Sequence, residues 1–102
     1  MAIKKQYLKS KPVCKVTFSV PAEVAGEADH VCVVGNFNNW DLDANPMKKL
    51  KKDGSFSTTI NFDAEKEYQF RYLINGKTWA NEPEADNQVT TPYESENSVL
   101  EL

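Results

Sequence analysis

The sequence predicts an all-β domain, an antiparallel β-sandwich of immunoglobulin-like architecture with six to eight strands. Two observations carry that prediction. Short runs of alternating apolar residues recur along the whole chain, with turn signals roughly every 8–12 residues. No internal repeat and no helical periodicity longer than two turns interrupts them. The size is right for one such domain: 102 residues, 40% apolar and 26% charged, can build a core. A (β/α)8 barrel, which needs about 250 residues, is excluded.

The elements follow in order. Residues 1–11 read as a basic segment ahead of the sandwich, with MAIKKQYL forming at most one turn of helix, and the sandwich proper occupies 12–102. The run VCKVTFSV (13–20) alternates, with Cys14, Val16, Phe18 and Val20 on its apolar face. Pro21 ends it, and PAEVAGEAD (21–29) is small and polar, a loop. A strand is expected at 30–35, then an Asn- and Asp-rich loop, NFNNWDLDANP, closed by Pro46. MKKLKK-DG-SFSTTINF reads as a hairpin turning at Asp53-Gly54. The strongest strand is EYQFRYLI (67–74): Tyr68, Phe70, Tyr72 and Ile74 face one way, Gln69, Arg71 and Leu73 the other. Asn75-Gly76 signals a second hairpin, leading into KTWA. A long loop is expected over 81–96 and a closing strand over 97–102.

Twelve basic and fifteen acidic residues give a net charge of −3, which argues against nucleic acid as a partner. No apolar run approaches the ~18 residues of a membrane span. The N-terminus lacks the apolar region of a secretory signal, so the expected location is the cytoplasm. Charge is uneven: residues 1–15 carry five lysines and no acid, residues 81–102 six acids and no base. An electrostatic docking arm fits this pattern. The first and last segments lying side by side fits it better.

Cys14 and Cys32 fall on opposite faces of their strands, Cys14 inward and Cys32 outward, which defeats disulfide geometry. Both are expected as free thiols, in keeping with a reducing compartment. One histidine and two scattered cysteines do not supply the four ligands of a structural zinc site, and no cofactor is expected. His30 and Cys32 share a strand face and faintly suggest a Cys-His nucleophile pair, without an orienting third group. Lys48, Lys49, Lys51 and Lys52 read as a solvated hairpin edge. Glu82, Glu84 and Asp86 sit in one loop with no enclosing cleft, so a paired-carboxylate hydrolase site is not expected.

Trp40 and Trp79 stand apart, since both lie in polar, turn-rich segments. Each fits equally a binding platform and a plug at one end of the sandwich. The stretches that hold them carry a resemblance. VCVVGNFNNWD (31–41), YQFRYLINGKTWANEPEADN (68–87) and ENSVLEL (96–102) together resemble the family 48 carbohydrate-binding module. That family includes the glycogen-binding domain of the AMP-activated kinase β subunit and the early-set domains of isoamylases and branching enzymes. The resemblance implies an early-set β-sandwich that binds α-1,4-glucan without catalysis, as a stand-alone module serving a separate glucan-metabolising enzyme or kinase. It implies carbohydrate-binding roles for Trp40, Trp79, Arg71 and Asn97, with Tyr93 at the family's ring-threading leucine and Ser95 at a threonine position. Arg71 replaces the family's usual lysine, and the Asn-Gly to Trp spacing is one residue longer here. The alternative is a domain of the same fold that has lost sugar binding and serves as a protein-interaction or regulatory subunit.

The chemistry agrees. A glucose ring offers an apolar C–H face to stack on tryptophan and equatorial hydroxyls for Arg and Asn. Strand alternation turns Arg71 away from the core aromatics, and the hairpin brings Trp79 within its reach.

Overall fold

Alternation in VCKVTFSV buries Cys14, Val16, Phe18 and Val20 completely, and this face forms one wall of the core. The computed structural model describes residues 2–10, 12–26, 28–92 and 95–102. Tyr93 lies outside them.

Among the described residues the strands are β1 (Ala2–Tyr7), β2 (Val13–Val20), β3 (Val31–Gly35), β4 (Lys48–Lys49), β5 (Phe56–Asp63), β6 (Glu67–Ile74), β7 (Thr78–Ala80), β8 (Asn87–Thr90) and β9 (Glu96–Glu101). They form two antiparallel sheets, ordered β1-β2-β5-β4 and β3-β6-β9-β8, with β7 also paired to β6. The all-β antiparallel sandwich is therefore the observed fold. Its strand number exceeds the six to eight expected because β1 and β8 fall in segments not read as strands.

Between the sheets, Phe18 meets Phe70 edge-on with ring centroids 5.2 Å apart, and Phe62 at 6.1 Å. Edge-to-face packing suits the ring quadrupoles while filling a layer ~10 Å thick. Phe70 and Tyr72 of β6 and Leu100 of β9 are fully buried on the facing sheet.

Three local expectations change. Ala2–Tyr7 pairs with β2 from Ala2↔Ser19 to Tyr7↔Cys14, so sheet structure begins ahead of residue 12 and replaces the expected turn of helix. The segment after Pro21 contains one helical turn, α1 (Ala22–Ala25), which buries Ala25. The loop expected over 81–96 contains β8, registered on β9 from Asn87↔Val99 to Thr90↔Glu96.

The end segments do meet. Lys5 shares the inward side of β1 with Ile3, and its Nζ donates to Asp86 Oδ2 at 2.6 Å and to the Glu101 carbonyl at 3.0 Å. An inward lysine on an edge strand also discourages edge-to-edge pairing. The Lys48–Lys49 strand is the opposite edge of that sheet, exposed as expected.

Candidate functional site

The outer face of the second sheet is set by the period-2 alternation of β6. With Phe70 and Tyr72 turned inward, Gln69, Arg71 and Leu73 stand outward. Their cross-strand partners share that face: Val34 beside Arg71, Cys32 and Trp79 beside Leu73, Val99 beside Gln69. Cys32, Val34 and Leu73 form a small buried apolar patch of their own.

The position of Trp79 depends on the hairpin before it. Ile74 pairs with Thr78, leaving Asn75, Gly76 and Lys77 in the turn. Asn75 (φ 51°) and Gly76 (φ 67°) are left-handed, the conformation a tight hairpin needs. Asn75 Oδ1 accepts the Asp29 and His30 N–H groups at 2.9 and 3.1 Å, which pins the turn to the chain entering β3. The extra turn residue places Trp79 opposite Leu73, on the outer face. A one-residue slip would send it to the other face.

Trp40 arrives from a different element. After β3 the chain makes a 3-10 turn (Asn36–Asn38), then Asn39 and Trp40 both adopt left-handed backbone, φ 58° and 57°. Asparagine tolerates that region; for a bulky aromatic it is strained, at about 1–3 kcal/mol. The Trp40 N–H donates to the Gly35 carbonyl at 2.8 Å.

Trp40, Arg71, Trp79, Ser95 and Asn97 line one open groove of about 750 Å³. Both tryptophans are surface-exposed, at 37% and 45%. Neither plugs an end of the core. Tyr93, named with them from sequence, lies outside the described residues. The groove also takes in Leu42, Gln69, Val89, Thr90, Thr91 and Pro92, which the sequence reading did not single out. The strand-face assignment of Gln69 beside Arg71 already carried a signal for that residue. The β-branched run Val89, Thr90, Thr91 before Pro92 carried a weak one.

A hydrogen-bonded chain orders the polar side of the groove. Arg71 Nε donates to Asn97 Oδ1 at 2.6 Å and Arg71 Nη2 to Ser95 Oγ at 2.7 Å. Asn97 Nδ2 in turn donates to Gln69 Oε1 at 3.0 Å. Ser95 and Thr91 hydroxyls lie 2.7 Å apart. Asn97 is buried beneath this network at 8% exposure, so its amide fixes Arg71 more than it faces solvent. A lysine ammonium has donors enough but lacks the rigid planar fork from which these two bonds leave separate nitrogens.

Other candidates resolve into structure. His30 Nε2 and Cys32 Sγ are 3.1 Å apart, and Cys32 does lie on the outer face, yet it is covered there and only 1% exposed. Burial, with the nearby Asp43 charge, pushes its thiol pKa up, the reverse of an activated nucleophile. Cys14 and Cys32 are both free and buried. Glu82 is fully buried, accepting the Tyr72 hydroxyl at 2.8 Å and the Glu84 N–H at 3.0 Å. Burial and the Glu82 charge raise the Tyr72 pKa. Asp86 is engaged by Lys5 and the Glu101 N–H. These carboxylates brace the segment between β7 and β8 and do not face the groove.

Comparison with known proteins bears on the fold and the family. The fold matches the enterobactin esterase FES from Shigella flexneri, in crystal structures with enterobactin (TM-score 0.72) and with 2,3-di-hydroxy-N-benzoyl-serine (0.73). These matches cover 98% of this chain and 32% of the esterase at 12% identity. Over 59 residues the chain is 42% identical to the 1,4-alpha-glucan branching enzyme GlgB of Halothermothrix orenii. That match spans 58% of this chain and 9% of the enzyme. Residues 19–101 match the family described as the glycogen recognition site of AMP-activated protein kinase, and the chain belongs to that family of carbohydrate-binding domains.

Proposed function

We propose that the chain binds α-1,4-glucan, such as glycogen, starch or maltooligosaccharides, by stacking glucose rings on Trp40 and Trp79. The observation that carries this reading is the convergence of both tryptophans with Arg71, Ser95 and Asn97 in one exposed groove. In this reading the indole faces take the C–H surfaces of successive rings. The remaining N–H groups of Arg71 donate to ring hydroxyls. The Gln69 amide nitrogen, which has no protein acceptor among the described residues, does the same. Such an open platform binds weakly, with Kd roughly micromolar to millimolar.

The reading is of binding without hydrolysis, by a platform and not by a pair of catalytic carboxylates. The same reading has the chain act as a module of its own, delivering a separate glucan-metabolising enzyme or kinase to the polymer. A blot of host extract should then show a species of this chain's own size. A substantially larger one would overturn that part.

Loss of sugar binding in favour of an interaction role is the rival. It is favoured by the occurrence of this fold within an esterase whose named substrate is not a glucan, since fold does not fix function. Titration with β-cyclodextrin or maltoheptaose, followed by tryptophan fluorescence, separates the two. Saturable binding supports the glucan reading; no change at several millimolar sinks it. Trp40→Ala and Trp79→Ala should each raise Kd at least about tenfold with the fold retained. A reducing-sugar assay on starch should show no turnover.

A further inference from the structure

The geometry points to Asn38 and Asn45 as positioning residues that hold Trp40 in its strained backbone conformation and so fix the indole on the groove before ligand arrives. Neither asparagine lines the groove. What they do is close the loop that carries Trp40. Asn38 Oδ1 accepts the Gly35 N–H at 3.1 Å. Asn38 Nδ2 donates to the Val33 carbonyl at 3.1 Å and to Asn45 Oδ1 at 2.7 Å. Asn45 holds the far end of the same loop, its carbonyl accepting the Val33 N–H at 3.0 Å. The Asn38 carbonyl also accepts the Asp41 N–H at 3.2 Å, just past the tryptophan. One amide thus ties together the strand before Trp40, the turn containing it and the segment after it.

Two consecutive left-handed non-glycine residues, Asn39 and Trp40, would relax to ordinary backbone if the loop were free. They persist because both ends of the loop are anchored on β3. A ring fixed in advance loses less conformational freedom on binding, which raises affinity without adding a contact.

This inference rests on the glucan reading for its benefit but not for its test. The chain has two tryptophans, so Trp79→Phe leaves Trp40 as the sole reporter. In that background, time-resolved anisotropy of the ligand-free protein reads ring motion directly. Asn38→Ala should increase the fast-depolarising component severalfold; Asn45→Ala, which removes a single bond of the brace, should do so to a smaller degree and covers the case in which Asn38→Ala fails to fold. In the two-tryptophan protein, Asn38→Ala should raise the Kd for β-cyclodextrin about tenfold. The same substitution should cost nothing further once Trp40→Ala is present, a coupling that a general loss of stability would not produce. Unchanged ring motion in both variants, or an equal penalty with and without Trp40, overturns the inference. Failure of the unmodified chain to bind β-cyclodextrin overturns the glucan reading instead and leaves the positioning role to the anisotropy result.

Discussion

Gly35 shows how narrowly the loop before Trp40 is specified. Its backbone is extended, φ −163°, so conformation does not demand glycine there. Space does: a Cβ would run into the Gln69 carbonyl oxygen and lie 2.5 Å from the Phe37 ring. The first of these is backbone of β6 and cannot swing aside. Gly35→Ala should therefore destabilise the domain by about 1–3 kcal/mol in urea denaturation. Because the push falls on Gln69, glucan affinity should fall with it. Arg71 makes a complementary case. Its two bonds to Asn97 and Ser95 diverge from a planar fork, so Arg71→Lys keeps the charge and loses the geometry. The expected result is a several-fold rise in Kd with unchanged stability. Restoration of full affinity by lysine would show that charge alone matters. Strand parity alone gave the face of Arg71 in sequence. The partners that hold it were not readable, because Asn97 and Ser95 lie 26 and 24 residues away along the chain.

Elements with strong alternation or a clear hairpin turn were legible in the sequence, and two strands that lack both were not. β2 and β6 were read with their faces because each runs eight residues with apolar side chains on every second position. β8 is four residues of mostly polar character, NQVT, whose strand state comes from pairing with β9 and not from its own pattern. β1 hid for a related reason: Lys5 occupies the middle of its inward positions, between Ile3 and Tyr7, where alternation expects an apolar residue. Lys5 is tolerated there because it crosses to the other sheet and meets Asp86. Burial pulls the Asp86 pKa up, but the hydrogen bonds from Lys5 and the Glu101 N–H, with the lysine charge, outweigh it and hold it below its ordinary value of 3.8. A carboxyl lowered in the folded state binds fewer protons than in the unfolded chain. Its contribution is therefore complete above 3.8 and fades as pH falls through the lowered value. Asp86→Asn should cost about 0.5–1 kcal/mol at pH 7 and flatten the loss of stability below pH 3.8. Denaturant midpoints across pH 2–7 would check this, and an unchanged acid limb would mean that the pair carries no stability.

The whole molecule divides labour between its two sheets. The inner faces share one core, and the groove lies on the outer face of β6, β7, β8 and β9, with the loop that carries Trp40 completing it. On the outer face of the other sheet the Thr17 and Thr59 hydroxyls lie 2.9 Å apart across β2 and β5. Arg71 is held by Asn97 on β9 and by Ser95 just ahead of it, Trp79 sits on a strand whose turn is pinned by Asn75, and the loop that carries Trp40 is tied to β3, so the platform is braced by the sheet and is not a free lid. Ligand should then bind with little change of shape. Titration of labelled protein with maltoheptaose should move the amide and side-chain signals of Trp40, Gln69, Arg71, Trp79, Ser95 and Asn97. Thr17, Thr59 and the β1–β2 ladder should stay silent. Bound sugar should also raise the melting temperature in step with its concentration relative to Kd, since only the folded state offers the groove. Shifts spread evenly over both sheets would mean that binding repacks the core, and the groove would no longer be a rigid surface held by the sandwich beneath it.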